Sequence, residues 1–240
     1  MQVPLFDDRH PYARPLKGLA EADLAAKQRV LLLALNFIPL LHIIIVILLA
    51  LSPFVSWAGR LLLSAAALYL LPPFLARLVR AGWKIPEGRI AVGSKAFFAW
   101  WALLQLQMLF CRLPALEEFL RLLPGAYSAW LRFWGARIGR LTFWSPGTVI
   151  LDRPYLCVGN HVILGAGVRV NPHVIAKNSS DKLELILGTV KIGDRARVGG
   201  YALLTAGSEI ASDEDTDAFL VLPPFSSFKG GKRVRTKEQP

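Results

Sequence analysis

Two different spacings of apolar residues divide the chain. In the first half they form unbroken runs. From Val30 to Leu51 the chain reads VLLLALNFIPLLHIIIVILLAL, 22 residues without a formal charge, relieved only by Asn36, Pro39 and His42. A membrane-spanning helix needs about 20 such residues. With 29 residues ahead of it and no small-residue cleavage site behind it, the run reads as a span and not as a cleavable signal. After Ser52–Gly59 a second run, LLLSAAALYLLPPFLA, extends from Leu61 to Ala76 between Arg60 and Arg77. It is short, and Pro72-Pro73 should break or kink its end. The pattern predicts a transmembrane helical hairpin over 30–80 behind a segment 1–29, with a re-entrant second arm as the alternative. A third run, AFFAWWALLQLQMLFC from Ala96 to Cys111, has only 16 residues and includes Gln105 and Gln107. Its density of Phe and Trp suits the headgroup level, so 81–137 is expected to hold interfacial helices; a third crossing is the competing reading. An amphipathic helical stretch then continues over Ala115–Arg137 and ends at Gly135.

From Ile138 the helical spacing gives way to a period of six. Val158, Leu164 and Val170 fall six apart, as do Ile186, Ile192, Val198, Leu204 and Ile210. A second set follows four residues behind: Val162, Val168 and Val174, then Val190, Ala196, Ala202 and Ser208. Glycine directly follows Val158, Leu164, Ile192 and Val198. Plain alternation in a β domain would give a period of two. A period of six predicts a solenoid of short strands over 138–228, with aliphatic side chains stacked inside and a tight turn at each corner. Residues 229–240 form a basic tail, KGGKRVRTK from Lys229 to Lys237.

Composition agrees with a membrane setting. Hydrophobic residues make up 54% of the 240 and charged residues 19%, against about 45–50% and 25% in soluble domains. That excludes a disordered chain and disfavours an ordinary cytosolic globule. Cys111 and Cys157 are too few for a disulfide framework. The net charge of +11 suits an anionic membrane surface, an anionic substrate or nucleic acid. Lys and Arg flank the hairpin on one side: Arg9, Arg14, Lys17, Lys27 and Arg29 before it, and Arg77, Arg80, Lys84, Arg89 and Lys95 after it, with Arg60 alone in the connection. Both ends of the hairpin and the solenoid are therefore expected on the cytoplasmic side of the inner membrane.

The six-residue stretch resembles the left-handed parallel β-helix of the hexapeptide-repeat acyltransferases. A closer resemblance is to the membrane-embedded C-terminal region of poly-lysine-synthetase-type non-ribosomal peptide synthetases. It is carried by WLRFWGARIG (Trp130–Gly139), NPH (Asn171–His173), VKIGDRARVGGYALL (Val190–Leu204) and LPPFSSFKGG (Leu222–Gly231), with SKAFFAWW (Ser94–Trp101) fitting as well. Those synthetases carry several such units in tandem and this chain has one. The resemblance implies acyl transfer from a thioester, either acyl-CoA (acetyl-CoA included) or a loaded acyl or peptidyl carrier protein, with no permanently bound cofactor. The acceptor would be a hydroxyl or amine on a lipid-linked, glycan or peptide molecule. A lone unit further implies a homotrimer with sites between subunits.

Candidate chemistry centres on histidine. His10 lies in a polar segment, and His42 inside the first span is expected to bond a neighbouring helix or, with Asn36, to line a channel. His161 and His173 each stand three places after a stacked residue and should project at corners of the solenoid, two corners apart, so that one subunit would not bring them together. His173 stands at the position that resembles the family's histidine, and the repeat lapses after it over Ala176–Leu185. It is the expected general base, with Asn171 orienting ring or substrate, and His161 the alternative base. A backbone N–H near Gly199 or Gly200 of a neighbouring subunit is the expected oxyanion donor. Lys229, Lys232 and Arg233 could hold donor phosphates, or serve only to attract an anionic leaflet. Two histidines without a close pair are too few for a catalytic zinc, so no metal is expected. No recognition motif accompanies the basic residues, so nucleic acid is not an expected partner. The remaining alternative is a non-catalytic trimeric scaffold of a membrane assembly.

Overall fold

The apolar runs become helices, but with boundaries that proline and packing have moved. A computed structural model describes residues 24–235; His10 and Lys237 lie outside them. The first run is two helices, α1 (Ala26–Leu35) and α2 (Ile38–Leu51), joined at Asn36 and Phe37. Pro39 falls in the first turn of α2, where its missing N–H has no partner to lose. The second run is α3 (Trp57–Tyr69) and α4 (Leu71–Gly82). Pro72 and Pro73 open α4 in the same way, so they interrupt the run without ending it. The expected short second arm is therefore corrected: Ala26–Leu51 and Trp57–Gly82 each cover 26 residues, long and apolar enough to cross a membrane. At 1.5 Å per residue each reaches about 39 Å, against a hydrocarbon core of about 30 Å. His42 joins the two arms through Nε2, 3.0 Å from the Ala67 carbonyl, and Asn36 Oδ1 accepts from Trp101 Nε1 at 2.9 Å. Both polar groups bond neighbouring helices.

After β1 (Gly88–Ala91) comes α5 (Lys95–Arg112), capped by the Ser94 hydroxyl. Much of it is buried in protein, with Phe97, Trp100, Gln105, Gln107 and Phe110 all covered. Of its aromatics, Phe97 and Trp100 pack against Tyr155, Leu185 and Leu187 of the second half, while Trp101 bonds Asn36. α5 is long and apolar enough for a crossing only together with α6 (Ala115–Arg121), from which it bends by 79°. Pro124 and Gly125 separate α6 from α7 (Ala126–Trp134), so the single stretch expected over Ala115–Arg137 is two helices. Gly135 ends α7 with φ at +102°, a conformation that suits glycine.

From there the chain visits three parallel sheets in rotation. The first turn is β2 (Arg137–Ile138), β3 (Phe143–Trp144) and β4 (Val149–Ile150); the second is β5 (Leu156–Val158), β6 (Ile163–Leu164) and β7 (Arg169–Asn171). β8 (His173–Lys177) and β9 (Leu183–Leu187) then leave the coil as an antiparallel hairpin, with β1 paired to the far side of β9. The third turn is β10 (Val190–Ile192), β11 (Arg197–Val198) and β12 (Leu203–Thr205). β13 (Glu209–Ile210), a bridge at Asp215 and β14 (Val221–Leu222) complete a fourth, and β15 (Ser226–Lys229) begins a fifth. β16 (Lys232–Arg235) folds back antiparallel on β15, so the expected tail is a sheet edge at Lys232 and Arg233.

Registers confirm the stacking. Ile138, Val158, Ile192, Ile210 and Phe228 lie one above another in one sheet, and Ile150, Val170, Leu204 and Leu222 in another. Nearly all of these are fully buried, and they continue into the aromatic cluster of α5 and α7 as one core. Two members of the six-residue series do not belong: Val174 and Ile186 sit in the hairpin, paired with each other. The glycines after the stacked residues are required by close approach. A Cβ on Gly193 would stand 2.4 Å from the Ser212 nitrogen, and one on Gly159 2.6 Å from that of Asp194. Gly193→Ala should cost about 1–3 kcal/mol by overpacking, read in detergent as a melting temperature lowered by about 2–4 °C per kcal/mol.

Candidate active site

The six-residue spacing slips twice, both times between the same two sheets. Val158 follows Ile150 by eight positions, and Ile192 follows Val170 by twenty-two. Because the coil stacks these places one above the other, the two insertions meet at one corner. The first holds Asp152, with φ +44° and ψ +54°, a conformation Asp tolerates better than most residues. A 3-10 turn, Arg153–Tyr155, follows it. The second holds Pro172 and His173, and closes where the Gly188 N–H donates to the Pro172 carbonyl at 2.9 Å.

There Asp152 and His173 face one another, and His173 Nδ1 is hydrogen-bonded to Asp152 Oδ2. The other carboxylate oxygen accepts from Trp100 Nε1 at 2.9 Å. The Trp100 and His173 rings meet edge to face, 4.9 Å between centroids. Asp152 is 1% exposed and His173 17%, so the carboxylate is sealed while the ring retains an opening. Burial pulls the His173 pKa down, but the Asp152 charge and hydrogen bond outweigh it, and the result lies above the usual 6.5. With Nδ1–H donating to the carboxylate, Nε2 is the nitrogen left to accept a proton. This is the arrangement of a general base oriented by a buried acid.

Asp152 is held from behind by its neighbour. Arg153 is fully buried; its backbone N–H donates to Gln107 Oε1 at 2.7 Å, its Nη1 donates to the same oxygen at 3.1 Å, and its Nη2 pairs with Glu117. Glu117 also accepts from the Tyr127 hydroxyl and from Arg121 Nη2 at 3.4 Å. The Arg153 guanidinium lies within 5.3–5.7 Å of the ring centroids of Phe110, Trp130 and Trp134. Two arginines are thus matched by Glu117 and Glu118, which a buried cluster requires.

The other expected residues are dispersed. His161 is exposed, in the left-handed region at φ +58°, on a different corner from His173. Asn171 makes no hydrogen bond to His173; its Oδ1 is buried without a partner, and the ring is oriented by Asp152 instead. The Gly199 N–H donates to Thr216 Oγ1 at 2.9 Å, so it is engaged within the coil and not open to an oxyanion. Gly200 lies beside it, its carbonyl accepting from the Phe219 N–H. Lys229 and Lys232 face each other across the last hairpin with Arg233 beyond, its turn held by Glu214 on the Gly230 and Gly231 N–H groups. Two members of the site, Asp152 and Trp100, escape a reading of the repeat. The signal that points to Asp152 is the two-residue slip between Ile150 and Val158.

No protein-family model and no curated protein matches the chain. Among solved structures it is similar to a hexapeptide-repeat-containing acetyltransferase from Vibrio cholerae, at 17% identity over 53% of this chain and 92% of that one, with a TM-score of 0.32. It is similar to the Vibrio cholerae O1 biovar eltor protein complexed with acetyl coenzyme A at 16% over 56% and 90%, TM-score 0.35. A maltose O-acetyltransferase from Clostridium difficile 630 shares 15% over 57% and 89%, TM-score 0.38.

Proposed function

We propose that this protein is a membrane-embedded acyltransferase built on a left-handed β-helix, moving an acyl group, acetyl among them, from the thioester of coenzyme A to a hydroxyl or amine. The observation that carries this reading is the Asp152–His173 pair at the interrupted corner, with the ring partly open and its inner nitrogen tied down. His173 Nε2 takes the proton of the acceptor as its oxygen or nitrogen attacks the thioester carbonyl. The carbon–sulfur bond then breaks, and the proton passes from the imidazolium to the departing thiolate. Transfer is direct, because no nucleophile stands at the pair among the described residues: Cys111 lies against Arg153, 3.9 Å from Nη1, and Cys157 is on β5 within a sheet.

The homotrimer belongs to the same proposal. Leu141, Phe143, Ile163, Tyr201, Phe219 and Val221 are large, exposed apolar residues on and beside the β3-β6-β11 sheet, a surface for a neighbouring copy to cover. In this reading the coil lies on the cytoplasmic side of the inner membrane, which the Lys and Arg flanks of the hairpin favour.

The test is release of free thiol from acetyl-CoA by the full chain in detergent. His173→Ala should lose about 10²–10⁴-fold, and His173→Gln, whose amide can still donate to Asp152, should be nearly as inactive, since an amide takes no proton at neutral pH. Near-native turnover in both would remove His173 from the mechanism and direct the test to His161. Release only from a loaded carrier protein would replace coenzyme A as donor and favour an amide-forming module.

A further inference from the structure

Between α1–α2, α4 and α5 the helices leave a groove. It is made of two adjoining cavities of about 480 and 510 Å³ that share Leu35, Val79, Trp83 and Ala102. One reaches His42 and Leu106 deep in the bundle; the other ends at Lys95. All the remaining wall residues are apolar. His42 is already bonded to Ala67, which leaves Lys95 as the single charge on the groove, without an ion pair among the described residues.

The dimensions are those of a lipid tail. From Lys95 to Leu106 the helix rises about 16 Å, a length on the scale of one lipid tail, roughly half of a hydrocarbon core about 30 Å thick. The chain direction agrees. Leu31 near the start of the first apolar helix and Trp83 just past the end of the second both lie at the Lys95 end, where an indole suits the headgroup level. Along the helix axis that end is also close to the level of the candidate site. Trp100, which touches Asp152 and His173, is five residues beyond Lys95, about 7.5 Å along the helix. β1, which leads into α5, shares its sheet with His173, in the register Gly88, Leu187, His173.

We infer that this groove holds the hydrocarbon tail of the acyl acceptor, a membrane amphiphile with an anionic headgroup, and that Lys95 engages the anion so that a neighbouring hydroxyl or amine reaches His173. The inference rests on the acyl-transfer reading for the reaction, and on the groove alone for binding. A long-chain acyl donor fits less well, because it would bring a neutral thioester and not an anion to the Lys95 end.

The probe is phosphatidylglycerol, an anionic lipid with headgroup hydroxyls, carrying a photoactivatable diazirine on its tail, in phosphatidylcholine vesicles containing the full chain. Labelling of α2, α4 or α5 should saturate, and unlabelled phosphatidylglycerol should compete about fivefold better than added phosphatidylcholine, the effect of one lysine on one anion. Ala102→Trp, or Ala102→Phe where the first does not fold, should abolish labelling. Lys95→Gln should keep labelling and lose the preference, and His173→Ala should keep both. Labelling that does not saturate, or that Ala102→Trp leaves unchanged, is bulk lipid and overturns the inference. So does a preference that survives in Lys95→Gln. Thiol release with phosphatidylglycerol as acceptor that persists in Ala102→Trp removes the groove and leaves acyl transfer standing. Intact labelling without any thiol release removes the reaction, and with it the acceptor role, while the lipid site remains.

Discussion

Asp152→Asn is expected to lower turnover with acetyl-CoA by about 10²–10⁴-fold and to shift the acid side of the pH profile downward. The sign follows from two opposing influences on His173. Burial lowers its pKa; the Asp152 charge and hydrogen bond raise it, and they prevail. A base works only when neutral, so the wild-type rate should climb with pH through a value above 6.5. In the amide variant the charge is gone and burial remains, which places that limb below 6.5. The ring is then neutral over a wider pH range, yet it is a weaker base and is no longer fixed with Nε2 outward. The readout is kcat/KM for thiol release across pH 5 to 9. A profile that keeps its acid limb and its amplitude in Asp152→Asn would separate Asp152 from the chemistry.

Arg153→Ala should be the most destabilising single change in the protein. The side chain is fully buried and is the partner of Glu117, which also accepts from Tyr127 and Arg121. Removing one member of a buried pair leaves the other charge uncompensated, at a cost of about 3–5 kcal/mol. For a chain of this length that corresponds to a melting temperature lower by roughly 10 °C. Arg153→Met combined with Glu117→Leu should recover most of the loss, because the charges leave together and the cavity stays filled. It should fall short of the wild type, since Tyr127 and Arg121 lose their shared acceptor. Equal melting curves for the single variant and the wild type would show that the pair contributes nothing.

The coil was legible because its inward positions recur at a spacing no helix or flat sheet produces. Ile192, Val198, Leu204 and Ile210 announce it with no help from composition. The hairpin β8–β9 was hidden by the same rule: Val174 falls four after Val170 and Ile186 six before Ile192, so both count as coil residues although they pair with each other. The packing of helix α5 was hidden for a different reason. A row of Phe and Trp looks the same whether it meets headgroups or the flank of a coil, and only packing decides. His173 stood out by position, whereas Asp152 did not. Its partner lies twenty-one residues away on the next turn, a distance that is meaningful only once both insertions are known to share a corner. Arg153 and Glu117, thirty-six residues apart, carry no spacing signal at all.

The candidate site belongs to neither half of the chain. Asp152 and His173 come from the coil, while Trp100, Gln107 and Glu117, which fix the carboxylate and its neighbour, come from the helices that lead up to it. A coil grafted onto another set of helices would inherit the histidine without the groups that aim it. The site is therefore transmissible only as a joint: recombination that separates helices from coil dismantles it, and the two halves are bound to change together.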